Sequence, residues 1–277
     1  MDIYEKTTAF YQSAKSGKTV YGKSVLGRNL YAVKCGEGSP VGIAVYAVHG
    51  REFITAELAF RQYAVGVKGT VWFLPLANPD GALLSEIGID SVKNGKHRKF
   101  LSSFSKEDLR LWKANARGVD LNVNFDADYG KGAKNVRERG RENCIGSRAF
   151  SEKEARAIRD FTLKISPDYT VSYHTKGEEI YWHYHQPLCR VARDKELAEA
   201  LSSACGYPLK RVKGSVGGYK DWCIQKLKIP AFTVETGKDE FLHPLCTEEA
   251  REDILHKNEN ALLALSRAVE KQRGFYF

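Results

Sequence analysis

The sequence contains two histidines and two glutamates at positions suited to a hydrolytic metal site. His49, His174 and Glu235 each stand at the carboxyl end of an apolar run rich in β-branched residues, and Glu52 follows His49 by three residues. Side chains three residues apart share a face at the start of a helix, so His49 and Glu52 can converge on one ion. Two histidines and one carboxylate with an open position compose a hydrolytic zinc site, and the remaining glutamate can deprotonate a zinc-bound water.

Buried strands must bring these segments together. Residues 41–48, 169–174 and 231–235 are nearly continuous apolar runs, a pattern typical of strands covered on both faces. Helical spacing follows in 52–65, and another buried strand is predicted in 70–76. Strands that alternate with helices indicate an α/β sheet. Because functional groups in such sheets gather at the carboxyl ends of strands, we expect the histidines and glutamates to meet there.

Other stretches are less regular. The segment 78–81, Asn-Pro-Asp-Gly, has the composition of a turn. Residues 85–150 are polar and basic, and we expect long surface loops there around one short helix near 106–115. A single long amphipathic helix is predicted over 247–272.

Composition excludes several classes of protein. With 43% hydrophobic and 28% charged residues, the 277-residue chain is neither wholly disordered nor collagen-like. Its longest uncharged apolar run, 38–50, is shorter than the roughly 20 residues of a membrane-spanning helix, so we expect no membrane partner. No signal peptide is visible, and six scattered cysteines without a CxxC pair favour reduced thiols. We therefore expect a cytoplasmic location, unless an export signal lies outside this sequence.

The net charge of +9 is concentrated in residues 91–148, which hold 14 Lys and Arg against 7 Asp and Glu. A basic surface attracts anionic partners. The stretch lacks the aromatic interleaving and the module signatures of nucleic-acid binders, so we expect no nucleic acid. A small substrate that carries several carboxylates, such as an acidic peptide, is the favoured partner.

Six segments together resemble the zinc metallocarboxypeptidases, the carboxypeptidase A–like family: HGREFITAEL, LANPDG, GVDLNVNFD, SYHTKGEEIYW, GGYKDW and FTVETG. The similarity covers about residues 19–270. Residues 173–178, with Tyr181 and Trp182, are similar to the bacterial branch that cuts murein peptides at the γ-D-glutamyl–diaminopimelate bond. The resemblance implies a mixed, twisted eight-stranded sheet with helices on both faces. Because no linker or repeat interrupts the chain, we predict a single domain over residues 1–277.

The resemblance also implies roles for the four residues introduced first. His49, Glu52 and His174 match the family's ligands for one Zn²⁺ per chain. Glu235 matches the general base that activates the zinc-bound water and later protonates the departing amine.

Two further positions match the family's substrate-binding residues, and others depart from its pattern. Arg51 and Asn122 match residues that bind substrate. The arginine that follows Asn122 in the family, and that clamps a peptide's terminal carboxylate, is Val123 here. Valine cannot supply that bidentate fork, so ordinary trimming of peptide C-termini is in question. The arginine that polarises the scissile carbonyl aligns with Lys113, and Arg117 is a nearby alternative.

Lys213 aligns with the family's mobile tyrosine, and Lys220 stands where side-chain specificity is set in the animal enzymes. A cation at Lys220 suits an acidic group such as diaminopimelate provides. The favoured hypothesis is a zinc peptidase that hydrolyses the γ-D-Glu–meso-diaminopimelate bond of murein peptides. The alternatives are a carboxypeptidase with another carboxylate anchor, Lys213 or Lys220, and a catalytically impaired zinc protein that binds muropeptides.

Overall fold

One mixed sheet of eight strands forms the centre of the protein. The computed structural model describes residues 1–93, 95–211, 214–244 and 247–274. The strands are β1 Lys18–Lys23, β2 Asn29–Gly36, β3 Val41–Tyr46, β4 Thr70–Leu74, β5 Tyr169–Thr175, β6 Glu179–Tyr181, β7 Leu209–Lys210 and β8 Ala231–Thr236. Their order is β1-β2-β4-β3-β5-β8-β6-β7, with β4, β3, β5 and β8 mutually parallel and β2 and β6 antiparallel to them. The expected eight-stranded mixed sheet is confirmed.

Helices cover both faces of this sheet, as expected. They are α1 Ile3–Ser13, α2 Ile54–Val65, α3 Pro79–Ile87, α4 Gly95–Leu101, α5 Lys106–Arg110, α6 Lys153–Ile165, α7 Leu188–Cys205, α8 Tyr219–Trp222, α9 Glu248–Asn258 and α10 Ala261–Arg273. On one face α2, α7 and α10 bury Leu58, Leu201 and Leu265, and on the other α6 and α8 bury Ile158 and Trp222. Within the described ranges, no helix combines the length and the apolar character needed to cross a membrane.

Two sequence predictions about helices were wrong. The segment 78–81 begins α3 instead of forming a turn, because the Asn78 side chain accepts a hydrogen bond from the Gly81 N–H and Pro79 occupies the first helical turn. The predicted helix 247–272 is two helices, α9 and α10. Helix α9 ends at Asn258, and the Asn258 carbonyl accepts a hydrogen bond from Gln62 Nε2 at 2.7 Å.

The basic stretch 85–150 is more ordered than expected. It contains α4 as well as α5, and the predicted helix near 106–115 is the shorter α5. Three of its apolar side chains are buried in one cluster: Leu101, Leu109 and Trp112. These apolar side chains pack in one cluster with Leu84 of α3, so the residues that follow Trp112 reach the metal-binding edge in a defined position.

Two buried carboxyl groups lie at the start of α3 and of α6. Asp80 and Glu154 are both 0% exposed. Asp80 pairs with Arg28 at 2.7 Å, whereas Glu154 accepts hydrogen bonds from the Val25 N–H and from Asn115 Nδ2. Burial, reinforced by the Asp80 charge, raises the pKa of Glu154 to about 7.

We expect Glu154 to make the protein less stable as the pH rises from about 5 to about 8. The pKa of Glu154 is higher in the folded chain than the 4.5 of an unperturbed glutamate. Between these two pKa values the folded state binds more protons than the unfolded state, so the free energy of unfolding falls as the pH rises and becomes level above the folded-state pKa. Glu154→Gln should flatten the pH dependence of the urea midpoint. Glu138→Gln, at an exposed position, is the control that should leave it unchanged. Equal slopes in wild type and Glu154→Gln would contradict the assignment.

Candidate active site

The site forms where β3, β5 and β8 end. These parallel strands are neighbours, with Tyr46 opposite Tyr173 and His174 opposite Glu235. His49 follows β3 and precedes a 3₁₀ turn, Gly50–Glu52, that carries the Glu52 carboxylate back toward the strand ends. The expected convergence at the carboxyl edge is therefore present in the structure.

His49, Glu52 and His174 form one compact, buried group. Glu52 Oε1 lies 2.8 Å from His49 Nδ1, and Glu52 Oε2 lies 2.9 Å from His174 Nδ1. The two Nδ1 atoms lie 3.1 Å apart. Two imidazole nitrogens and a carboxylate directed at one point are the donor set of a zinc site, and three protein ligands leave a position open. The group fits one zinc ion.

Asp120 supports this group from behind, and the sequence analysis did not single it out. Its Oδ1 lies 3.3 Å from His49 Nε2, and its Oδ2 lies 3.1 Å from Lys113 Nζ. A carboxylate on the outer nitrogen of a ligating histidine fixes the ring's orientation and increases its basicity. Burial opposes ionisation of Asp120, but the Lys113 and His49 charges hold its pKa well below the usual range. The available signal was its place in GVDLN, two residues before Asn122.

Lys113 reaches the site because the backbone around it is bound to the metal-binding loop. The Gly50 N–H donates to the Lys113 carbonyl at 3.0 Å, and the Arg51 N–H donates to the Trp112 carbonyl at 2.8 Å. A Cβ atom at Gly50 would lie 2.4 Å from the Gly81 backbone, so this close approach requires glycine. Burial lowers the pKa of Lys113, but Asp120 and Glu52 more than offset this and raise it, so the side chain stays cationic.

The two glutamates of the site have pKa values displaced in opposite directions. Burial alone would raise the pKa of Glu52, but His49 and His174 hold it well below the usual range, so Glu52 is ionised and able to bind a cation. Burial raises the pKa of Glu235 to about 7. The positive charge of His174 opposes this increase, and the negative charge of Glu52 reinforces it. A carboxylate with a pKa near neutrality suits a general base that must later give up its proton.

Three cavities meet at these residues. The central cavity, of about 380 Å³, is lined by His49, Glu52, Lys113, Tyr181, Glu235 and His243, among others. The polar cavity, of about 210 Å³, is lined by Asn122, Tyr181, Lys220, Asp221, Thr233 and Glu235, among others. The outer cavity, of about 430 Å³, is lined by Arg51, Lys113, Asn122, Val123, Lys134 and Glu142, among others. Glu235 stands between the central and polar cavities, so a bond beside it is open to both.

The structure separates the remaining predicted residues into three groups. Arg51 and Asn122 line the cleft, as does Lys220. Arg117 does not line any of the three cavities formed by the described residues, because its guanidinium turns to Glu152, with Nε 3.7 Å from the carboxylate. Arg117 is therefore not the alternative to Lys113 that the sequence suggested. Lys213 lies outside the described residues.

Three cleft residues were missed or given no role by the sequence analysis. Tyr181 lines both the central and polar cavities and donates a hydrogen bond to Glu179 at 2.6 Å. His243 lines the central cavity and lies 2.6 Å from Thr175 Oγ1. Asp221 lines the polar cavity beside Lys220. The sequence offered no signal for His243, since its contact with Thr175 joins distant segments.

A mixed α/β sheet with a His-Glu-His group and a partly exposed glutamate at its carboxyl edge is typical of zinc-dependent hydrolases. The family model described as "Peptidase_M14: Zinc carboxypeptidase" matches residues 5–263. The chain belongs to this family of zinc carboxypeptidases. It spans 60% and 64% of the length of the first two curated relatives that it matches. The domain boundaries given from the sequence stay a prediction.

Individual relatives agree with this assignment. The chain is 28% identical over 239 residues to "Gamma-D-glutamyl-L-diamino acid endopeptidase 1" of Lysinibacillus sphaericus, covering 79% of this chain and 60% of that protein. The murein-tripeptide amidase MpaA from Escherichia coli O157 superposes with a TM-score of 0.62 at 25% identity, over 92% and 94% of the two chains. Bovine thrombin-activatable fibrinolysis inhibitor, in complex with tick carboxypeptidase inhibitor, shares the fold with a TM-score of 0.79 at 18% identity, over 98% of each chain.

We expect His174→Ala to abolish tight zinc binding, because it removes one of only three protein ligands. Zinc per chain after dialysis, measured by atomic absorption, should be about one for wild type and near zero for the variant. His256→Ala is the matched control, since that side chain is 82% exposed and lies on α9. Full zinc retention by His174→Ala would show that the ion binds elsewhere.

Proposed function

We propose that this zinc peptidase hydrolyses the amide bond between γ-D-glutamate and meso-diaminopimelate in murein-derived peptides. The observation that carries the proposal is the polar cavity beside Glu235, which contains a buried ammonium and a buried carboxylate side by side. The names of the Lysinibacillus and Escherichia relatives support the same substrate class. Action on such peptides inside the cell, which the sequence favours, is part of the proposal.

In this proposal Glu235 moves the proton. When bound, Zn²⁺ supplies a Lewis acid that polarises the scissile carbonyl and makes water a stronger acid. The Glu235 carboxylate accepts a proton from the attacking water and then donates it to the amine of the departing diaminopimelate. Its pKa of about 7 allows both transfers near neutral pH.

Lys113 supplies positive charge to the carbonyl oxygen as negative charge develops there. Its ammonium lines the central cavity and is held by Asp120, so it needs little reorganisation during the reaction. Arg51 and Asn122, which line the outer cavity together with Lys113, bind the substrate's polar groups. The Asn122 side chain is itself oriented by the Tyr219 N–H, which donates to Oδ1 at 3.2 Å.

The polar cavity receives the side chain of diaminopimelate, which ends in both an ammonium and a carboxylate. Lys220 Nζ lies 2.5 Å from Asp221 Oδ1, and both side chains are only 8% exposed. The Lys220 ammonium also lies 5.2 Å from the centre of the Tyr184 ring. This pair offers a cation to the substrate's carboxylate and a carboxylate to its ammonium. The position of Lys220 in this cavity favours side-chain recognition over a role as anchor for a main-chain terminus.

We expect Glu235→Gln to lower kcat by about 10²–10⁴, because glutamine cannot accept the water's proton. Release of diaminopimelate from L-Ala-γ-D-Glu-meso-diaminopimelate is followed by mass spectrometry, and zinc content is measured in parallel. Zinc should be retained. Glu240→Gln, at an exposed position, is the control that should keep full activity. An absence of cleavage by zinc-loaded wild type would overturn the murein proposal.

A second prediction concerns selectivity for diaminopimelate over lysine, which lacks the distal carboxylate. Lys220→Met should lower the ratio of kcat/KM for the two tripeptides by about 10–100-fold, because a hydrogen bond to a charged group contributes about 1.5–3 kcal/mol. Lys220→Arg should retain part of the preference. Lys226→Met is the control, since that side chain is 45% exposed and lies outside the polar cavity. An unchanged ratio in Lys220→Met would remove Lys220 from substrate recognition.

A further inference from the structure

The central cavity has a wall that the polar and outer cavities do not share. Thr175, Lys176 and His243 line the central cavity and neither of the other two. We call them the Lys176 wall. Thr175 directly follows the metal ligand His174 in β5, so this wall begins beside the His-Glu-His group. Because the proposed function places the diaminopimelate side chain in the polar cavity, the acyl part of the substrate has to lie elsewhere, against the Lys176 wall or in the outer cavity.

Lys176 is held in this wall by backbone carbonyl groups. Its ammonium donates hydrogen bonds to the Asp239 carbonyl and, at 2.9 Å, to the Phe241 carbonyl. An ammonium group has three N–H donors, so one donor remains for another partner. Carbonyl oxygens orient the ammonium but carry no net charge, so they do not neutralise it. Lys176 therefore contributes a positioned positive charge to the lining of the central cavity.

The other two cations that line the central cavity have acidic partners. Lys113 Nζ lies 3.1 Å from Asp120 Oδ2, and Arg51 Nη1 lies 3.4 Å from Glu142 Oε2. Among the residues that the structure describes, no carboxylate pairs with Lys176, whose hydrogen bonds go to carbonyl groups. A cation that is oriented but not neutralised attracts an anion of the substrate.

His243 completes the wall as an uncharged ring. Its Nε2 lies 2.6 Å from Thr175 Oγ1. Burial lowers the pKa of His243 to about 4, against the opposing charge of Glu52, and the charges of Arg51 and Lys176 add to the decrease. The ring is therefore neutral near pH 7, and the positive charge of this wall is that of Lys176.

A γ-linked glutamate brings a carboxylate to the acyl side of the scissile bond. Its γ-carboxyl group forms the amide, so its α-carboxylate stays free, a short methylene chain away from the scissile carbonyl. That chain keeps the carboxylate near the cavity that contains the His-Glu-His group and Glu235. Lys176 lines this cavity, whereas Lys134 lines only the outer one.

We propose that Lys176 binds the free α-carboxylate of the γ-D-glutamyl residue, so that the central cavity selects a negatively charged acyl group. The inference rests on the proposed function and adds to it the residue that recognises the acyl side of the substrate.

The test compares two tripeptides that differ in a single group. One is L-Ala-γ-D-Glu-meso-diaminopimelate, and the other has a carboxamide in place of the α-carboxylate of glutamate. The two groups have nearly the same shape, so the peptides differ in charge at this position. With the zinc-loaded full chain, we expect kcat/KM for the carboxylate peptide to exceed that for the carboxamide peptide by about tenfold, as for a hydrogen bond to a charged group. Release of diaminopimelate is measured by mass spectrometry.

Variants assign this preference to Lys176. Lys176→Met should bring the ratio of the two kcat/KM values close to one, and Lys176→Arg, which keeps the charge, should retain part of the preference. Damage to the segment that Lys176 holds would slow the cleavage of both peptides alike, so the ratio separates substrate binding from a structural role. Lys238→Met and Lys134→Met, both at exposed positions outside the central cavity, are the matched controls that should leave the ratio unchanged.

Inhibition of the wild type provides a second measurement that needs no variant. The acyl product L-Ala-D-Glu should inhibit cleavage about tenfold more strongly than the same dipeptide with an α-carboxamide, because only the former offers Lys176 a carboxylate at this position.

Equal kcat/KM values for the two tripeptides in wild type would overturn the inference while leaving the proposed function intact. Equal inhibition by the two dipeptides, or an unchanged ratio in Lys176→Met, would do the same. A loss of the preference in Lys134→Met instead would place the acyl group in the outer cavity and also overturn the inference. Cleavage of neither tripeptide by the zinc-loaded wild type would overturn the proposed function and the inference together.

Discussion

The parallel pairing of β3, β5 and β8 is the constraint on which the site depends. The three strands lie side by side in the sheet, so their carboxyl ends share one edge. Their register places His174 directly opposite Glu235. Since successive side chains of a strand point to opposite faces, a slip of one residue would direct one of these groups away from the cleft. The hydrogen-bonded register of the strands therefore sets the relative positions of His174 and Glu235.

Two glutamates line the central cavity, and their neighbours shift their pKa values in opposite directions. Glu52 lies between two imidazoles, which hold its pKa low and keep it ionised as a metal ligand. Glu235 lines the cleft near Glu52, and desolvation raises its pKa to about 7. Pairs of titratable groups whose surroundings push their pKa values apart are typical of acid–base catalysis. The same sheet edge thus supplies a permanent anion and a proton carrier.

The stretch between α3 and α6 contributes Lys113, Asn122 and Val123 to the cleft. Backbone hydrogen bonds from Gly50 and Arg51 hold Lys113 against the metal-binding loop, and Asp120 joins its ammonium to His49. The 3₁₀ turn that follows presents Asn122 and Val123 to the polar and outer cavities.

The α/β class, the central strands and the four residues at or just beyond their carboxyl ends could be predicted from the sequence. Those features are local: a buried strand is recognisable from its apolar run, and a parallel sheet brings the ends of such runs together. The pairing of side chains around the cleft could not be predicted in this way. Asp120 binds His49 and Lys113, and Arg117 turns to Glu152. The pairings of His49 with Asp120 and of Arg117 with Glu152 join segments far apart in the chain, and no local pattern of residues encodes them.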